Sequence, residues 1–135
     1  IKERPFKTYD GRIKGNNIYL RENMNTTEKA CVLAEELGHH YTSVGCILDQ
    51  TDLANRKQER QARLWGYNKL IGLMGIVRAF NAGCQNQYEI ADYLDVTEGY
   101  LQECINCYQS KYGICTTVDN YVIYFVPYLT VTEMI

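Results

Sequence analysis

The 135-residue chain predicts a mainly helical α+β fold, a single domain over residues 1–135 that carries a small antiparallel sheet. Three observations lead there. Apolar residues recur at three- and four-residue intervals through much of the stretch from Thr26 to Tyr112, the period of helices with one covered face. Short runs between turn formers, such as Ile18-Tyr19-Leu20, precede them. A β-branched and aromatic run, Tyr121 to Val126, follows. With 46% apolar residues the chain is long enough to bury a core of its own.

Taken in order, Phe6 to Leu20 holds Asp10-Gly11 and Gly15-Asn16-Asn17 as turn formers and reads as a small hairpin. Such a hairpin either offers a strand edge to an extended peptide or simply covers the core. Asn25-Thr26-Thr27-Glu28 supplies capping side chains and a first-turn acid, so a helix starts near Thr26 and stops before Gly45. Its expected buried stripe is Ala30, Leu33, Ala34, Leu37 and Tyr41. After the polar connection Asp49-Gln50-Thr51-Asp52, a second helix runs from about Leu53 to Ile71 through Glu59-Arg60-Gln61-Ala62. Gly72-Leu73-Met74-Gly75 breaks the run, and a short helix through Phe80 ends at Asn81-Ala82-Gly83. Residues 83–112 resemble a helix-turn-helix, with Val96-Thr97 at the turn and Leu101 opening the second apolar stripe. In the final strand, Pro127 follows the run and the spaced Tyr and Phe side chains are expected to fill the core. No internal repeat or low-complexity segment occurs.

Composition excludes several functions. Lys and Arg number 14 against 16 Asp and Glu, so no global field draws the chain to nucleic acid or anionic lipid. The helix-turn-helix-like stretch from Gln87 to Tyr112 carries Glu89, Asp92, Asp95, Glu98 and Glu103 against Lys111 alone, a poor surface for neutralising phosphates. Direct DNA binding is therefore not expected, and that stretch serves structure or protein contact. No apolar run approaches the roughly 18 residues of a membrane helix. No signal-peptide pattern opens the chain, although its start at Ile1 rather than Met leaves room for a trimmed leader. The six cysteines (31, 46, 84, 104, 107 and 115) are read as reduced thiols. A domain with a good core does not need staples, Cys31 lies on an apolar helix face, and Cys104-Ile-Asn-Cys107 has no matching second pair.

The chemistry gathers in Ala34-Glu35-Glu36-Leu37-Gly38-His39-His40. Glu35 and His39 stand four apart on one helix face, the spacing of a metal clamp, and Glu36 lies beside that face as a base for a water. The pattern is H-E-x-x-H with Glu in the first place. Spacing alone leaves open a helix bearing solvated acids and ordinary histidines. Small Ala62, three residues after Glu59, lets the second helix approach the first and aim Glu59 at it. This makes Glu59 the candidate third ligand, the alternative being a surface ion pair among Arg56, Lys57 and Arg60.

Together these stretches resemble the ImmA/IrrE family of metallo-endopeptidases, in its small phage or mobile-element form. The likeness runs through Asp10-Gly11, Ile18-Tyr19-Leu20, Thr26-Thr27-Glu28-Lys29, Leu33 to His39, Glu59-Arg60-Gln61-Ala62, Ala91-Asp92-Tyr93-Leu94 and Tyr108 to Gly113. It implies a zincin-like metal helix, with Glu35, His39 and Glu59 as metal ligands and Glu36 as catalytic base. His40 would donate to the oxyanion or stand at the surface. The implied cofactor is zinc. Two carboxylates with one imidazole would acidify a bound water less than a His-rich site does, which favours slower chemistry or a harder metal such as manganese. The implied substrate is a helix-turn-helix transcriptional repressor, cleaved in the cytoplasm of a bacterial host so that silenced genes are released. The alternative is a catalytically weak or inactive antirepressor that sequesters such a repressor without proteolysis.

Overall fold

The computed structural model describes residues 2–4, 11–14, 17–42 and 52–135. Of the expectations above, those for Asp10, for Gly15-Asn16, for the helix stop at Gly45 and for the connection 49–51 lie outside these residues, as does Cys46. The fold is of the expected class, mainly helical α+β. The chain forms two compact units, residues 1–69 and 70–135.

The first unit opens with a three-stranded sheet of β1 (Lys2–Arg4), β2 (Gly11–Lys14) and β3 (Asn17–Arg21), in the order β1-β3-β2. β2 and β3 form the expected hairpin, Ile13 opposite Ile18 and Gly11 opposite Leu20. β1 was not legible from its three residues. It pairs parallel to β3, so this sheet is mixed rather than wholly antiparallel. Helix α1 (Thr26–Thr42) starts where its cap predicts, Asn25 Oδ1 accepting from the Glu28 amide at 2.8 Å. Lys29 on α1 pairs with Glu3 on β1, and α1 lies against β2 and β3. Helix α2 (Asp52–Leu70) follows.

Burial on α1 differs from the expected stripe. Cys31, Ala34 and Gly38 are the buried residues, while Ala30, Leu33 and Leu37 are half-buried and Tyr41 is 64% exposed. The reason is steric: α1 is covered where small side chains let a neighbour come close, and the large ring of Tyr41 lies instead on the surface, stacked on Trp65 at 5.2 Å.

The second unit begins with α3 (Gly72–Asn81). The break expected over 72–75 is narrower in the structure. Only Gly72 adopts a left-handed φ of 67°, and Gly75 lies buried inside the helix, facing Leu94. Helices α4 (Gln87–Leu94) and α5 (Glu98–Tyr112) form the helix-turn-helix-like pair. Asn86 caps α4 and Thr97 caps α5, each accepting from the amide three residues on, and Asp95 closes α4 at a left-handed φ of 56°. Val96 at the turn is buried, as are Ile90, Leu101, Cys104 and Tyr108.

The chain ends in an antiparallel sheet of β4 (Cys115–Val118), β5 (Tyr121–Tyr124) and β6 (Thr130–Glu133), in that order. Ile123 and Phe125 are buried, and Phe125 meets the rings of Tyr108 and Tyr112 at 6.5 and 6.4 Å. The expectation that the tyrosines of this strand fill the core needs correcting. Tyr124 points outward because side chains alternate along a strand and the odd-numbered set faces inward, while Tyr121, on that inward set but at the start of the strand, is only half-buried. Among the described residues, Cys84, Cys104 and Cys115 form no disulfide, and no helix is long and apolar enough to cross a membrane.

Candidate active site

The candidate site lies in the first unit, where α1 and α2 approach one another. The approach is backbone to backbone. A Cβ placed on Gly38 would stand 2.1 Å from the carbonyl oxygen of Ala62, a distance no side chain tolerates. Ala62, almost wholly buried, offers the complementary small surface. Helices that meet at small residues bring the longer side chains beside the contact within reach of one another. Here these are His39, next to Gly38, and Glu59, one turn before Ala62.

His39 Nε2 and Glu59 Oε2 stand 2.7 Å apart in a direct hydrogen bond. The other ring nitrogen, Nδ1, faces Glu36 Oε2 at 3.9 Å. Glu36 is the most withdrawn of these side chains, 15% exposed. Its neighbour in β2 is Gly11, whose absent side chain makes room for it: a Cβ there would stand 3.1 Å from Glu36 Cγ and 2.6 Å from Val32 Cγ1. Gly11, expected as a turn former, opens that strand and lets the sheet close on α1.

A ring nitrogen toward each of two carboxylates favours the imidazolium. Glu36 and Glu59 together push His39 up to about 9 from its ordinary 6.5, against the opposing effect of burial. At 3.9 Å Glu36 acts mainly through its charge, whereas Glu59 makes the hydrogen bond. Partial burial pushes Glu59 upward, but His39 and Arg63 outweigh it and hold the carboxyl below the usual range. Glu35 shifts the other way. Burial raises it, only partly offset by Arg63 and His39 and reinforced by the charges of Glu59 and Glu36.

The expected residues are therefore not all placed alike. His39, Glu59 and Glu36 are in one cluster. Glu35 lies close enough to feel His39 and Glu59 electrostatically but forms no described hydrogen bond with them. His40 is exposed, its ring edge-on to Tyr41 at 5.0 Å. Two further participants went unread in the sequence. Arg63 donates from Nε to Glu59 Oε1 at 3.1 Å, a pairing that the four-residue spacing from Glu59 would have disclosed. Gly38 carries the helix contact, and no local signal distinguishes it from any other helical glycine.

Among the described residues, no three His, Cys, Asp or Glu side chains form a ready-made metal cluster. In donor chemistry the site nonetheless fits a divalent ion: an imidazole nitrogen meets a carboxylate, and two further acids leave negative charge in excess of Arg63.

Comparison with known proteins places the chain. Residues 1–105 match the family model Peptidase_M78, described as the IrrE N-terminal-like domain. No curated protein and no solved structure matches. The family match spans the whole first unit, with the Glu35 to His39 and Glu59 residues inside it, and reaches into α5. The chain belongs to the Peptidase_M78 family, that of the IrrE N-terminal-like domain.

Proposed function

We propose that the protein is a metal-dependent endopeptidase that cleaves a helix-turn-helix repressor of a phage or mobile element. The observation that carries the reading is the contact of His39 with Glu59 across α1 and α2, with Glu36 beside it, in a chain of this family. Glu35, His39 and Glu59 would hold the ion, zinc or, given two carboxylates, manganese. When bound, it supplies Lewis acidity to water and to the scissile carbonyl. Glu36 takes the proton of the attacking water and returns it to the leaving amine, a role suited to a withdrawn carboxylate. To hold the ion, the His39 imidazole would have to be neutral, with Glu59 serving beside it as a fellow ligand. β2 is an edge strand of its sheet and lies against α1 beside Glu36, so an extended peptide pairing with it would run alongside the base. His40, one residue beyond His39 and open to solvent, donates to the oxyanion.

Glu36→Gln tests the central step. Repressor cleavage, followed by gel and mass spectrometry, is expected to vanish while one metal per chain remains, and cleavage at the wild-type rate would refute the assignment. His40→Ala should lower kcat by about 100-fold with metal content unchanged. A second reading, sequestration of the repressor without proteolysis, draws on the acidic surface of α4 and α5. Repressor release that survives chelation and leaves the repressor intact would select it.

A further inference from the structure

The carboxylate of Glu59 has a different partner on each oxygen. Oε2 faces His39 Nε2 on α1 at 2.7 Å, and Oε1 accepts from Arg63 Nε at 3.1 Å, one turn further along α2. A carboxylate held at both ends cannot rotate about its last bond without losing one of them. The anchor is itself anchored, because Arg63 follows Ala62, the residue fixed against Gly38. Arg63 is also the one cation described in the cluster besides His39, among Glu35, Glu36 and Glu59, and its charge acts on Glu35 as well. Resting on the metallopeptidase reading above, we propose that Arg63 is a positioning residue: by holding Oε1 of Glu59 it leaves Oε2 as the single oxygen presented to a divalent ion beside His39.

The physical basis is general. A carboxylate that binds a metal through one oxygen is oriented by a hydrogen bond to the other, and removing such a partner weakens affinity without removing a ligand. Arginine suits the task because its Nε and planar fork fix direction, whereas lysine offers only a mobile point charge. Electrostatics alone would act in the opposite sense, since deleting a nearby cation should tighten the binding of another. The sign of the effect therefore separates orientation from charge.

The test uses the full chain and zinc chloride or manganese chloride, with affinity read by calorimetric titration of metal-free protein. Arg63→Gln is expected to raise Kd by about 10- to 100-fold. Arg63→Lys should recover part of the loss. In a Glu59→Gln background, Arg63→Gln should change Kd by no more than about twofold, since the group it orients is already altered. Thermal unfolding of the metal-free variants, followed by circular dichroism, should remain close to wild type because the pair is half-exposed. An unchanged or tightened Kd in Arg63→Gln, or an equal loss in both backgrounds, would overturn the positioning role while leaving the metallopeptidase reading intact. A wild-type chain that takes up neither metal would overturn both.

Discussion

His39 is the residue on which the site's protonation turns. Its folded value near 9 lies above the ordinary 6.5, so the imidazolium contacts add stability that is fully present below about pH 6.5. That stability is lost as pH rises through about 9. Because Glu59 is half-exposed, screening reduces the contribution to about 1 kcal/mol. Denaturant unfolding of the metal-free protein at pH 6 and pH 10 should show this loss, and His39→Gln should flatten the difference. If His39 is a ligand as proposed, metal binding would have the opposite pH trend, because the ion would compete with the proton on Nε2. Affinity should therefore rise from pH 6 toward pH 9, and a pH-independent affinity would remove His39 from the ligand set.

At the scale of elements, the decisive feature is the closeness of α1 to α2 at Gly38 and Ala62. Gly38→Ala would place a methyl 2.1 Å from a backbone oxygen, a clash with main chain that no rotamer relieves. The helices must separate there, at a cost of about 1–3 kcal/mol or more. The separation also pulls Glu59 from His39, so metal affinity should fall together with stability. A variant with normal stability and affinity would show that the helices do not need this contact. In the second unit, Thr97→Ala removes the cap of α5 and should destabilise by about 1 kcal/mol, read as a lower denaturation midpoint. The proposed metal-binding residues are remote in the chain from that cap, and metal affinity should not change.

For the whole molecule, charge is the informative property. From Ala79 to Ser110 the chain contains five acids and no Lys, Arg or His, and α4 with most of α5 falls in this run. Asp92, Glu98 and Glu103 are exposed on it. A helix-turn-helix in form thus carries the wrong sign for phosphate. Mobility-shift titration at about 0.15 M salt should detect no duplex binding even at micromolar protein. Salt-sensitive retention of DNA would instead point away from α4 and α5, to a basic surface such as the exposed Arg56, Lys57 and Arg60 of α2.

The sequence alone determined whatever rests on interactions between near neighbours in the chain. Asn25 marks the start of α1, Val96-Thr97 the turn between α4 and α5, and Glu35, Glu36 and His39 share a helix turn because 3.6-residue periodicity requires it. Even Glu59 could be aimed at α1 from the smallness of Ala62. Only the tertiary structure decided which surfaces were covered. Tyr41 lies outside and Gly38 inside, Gly11 opens a strand that packs against Val32 and Glu36, and β1 finds β3 in parallel. Arg63, not Arg60, holds Glu59. Burial and pairing are properties of two segments at once, and the distance at which two backbones meet is not encoded in the local sequence of either one.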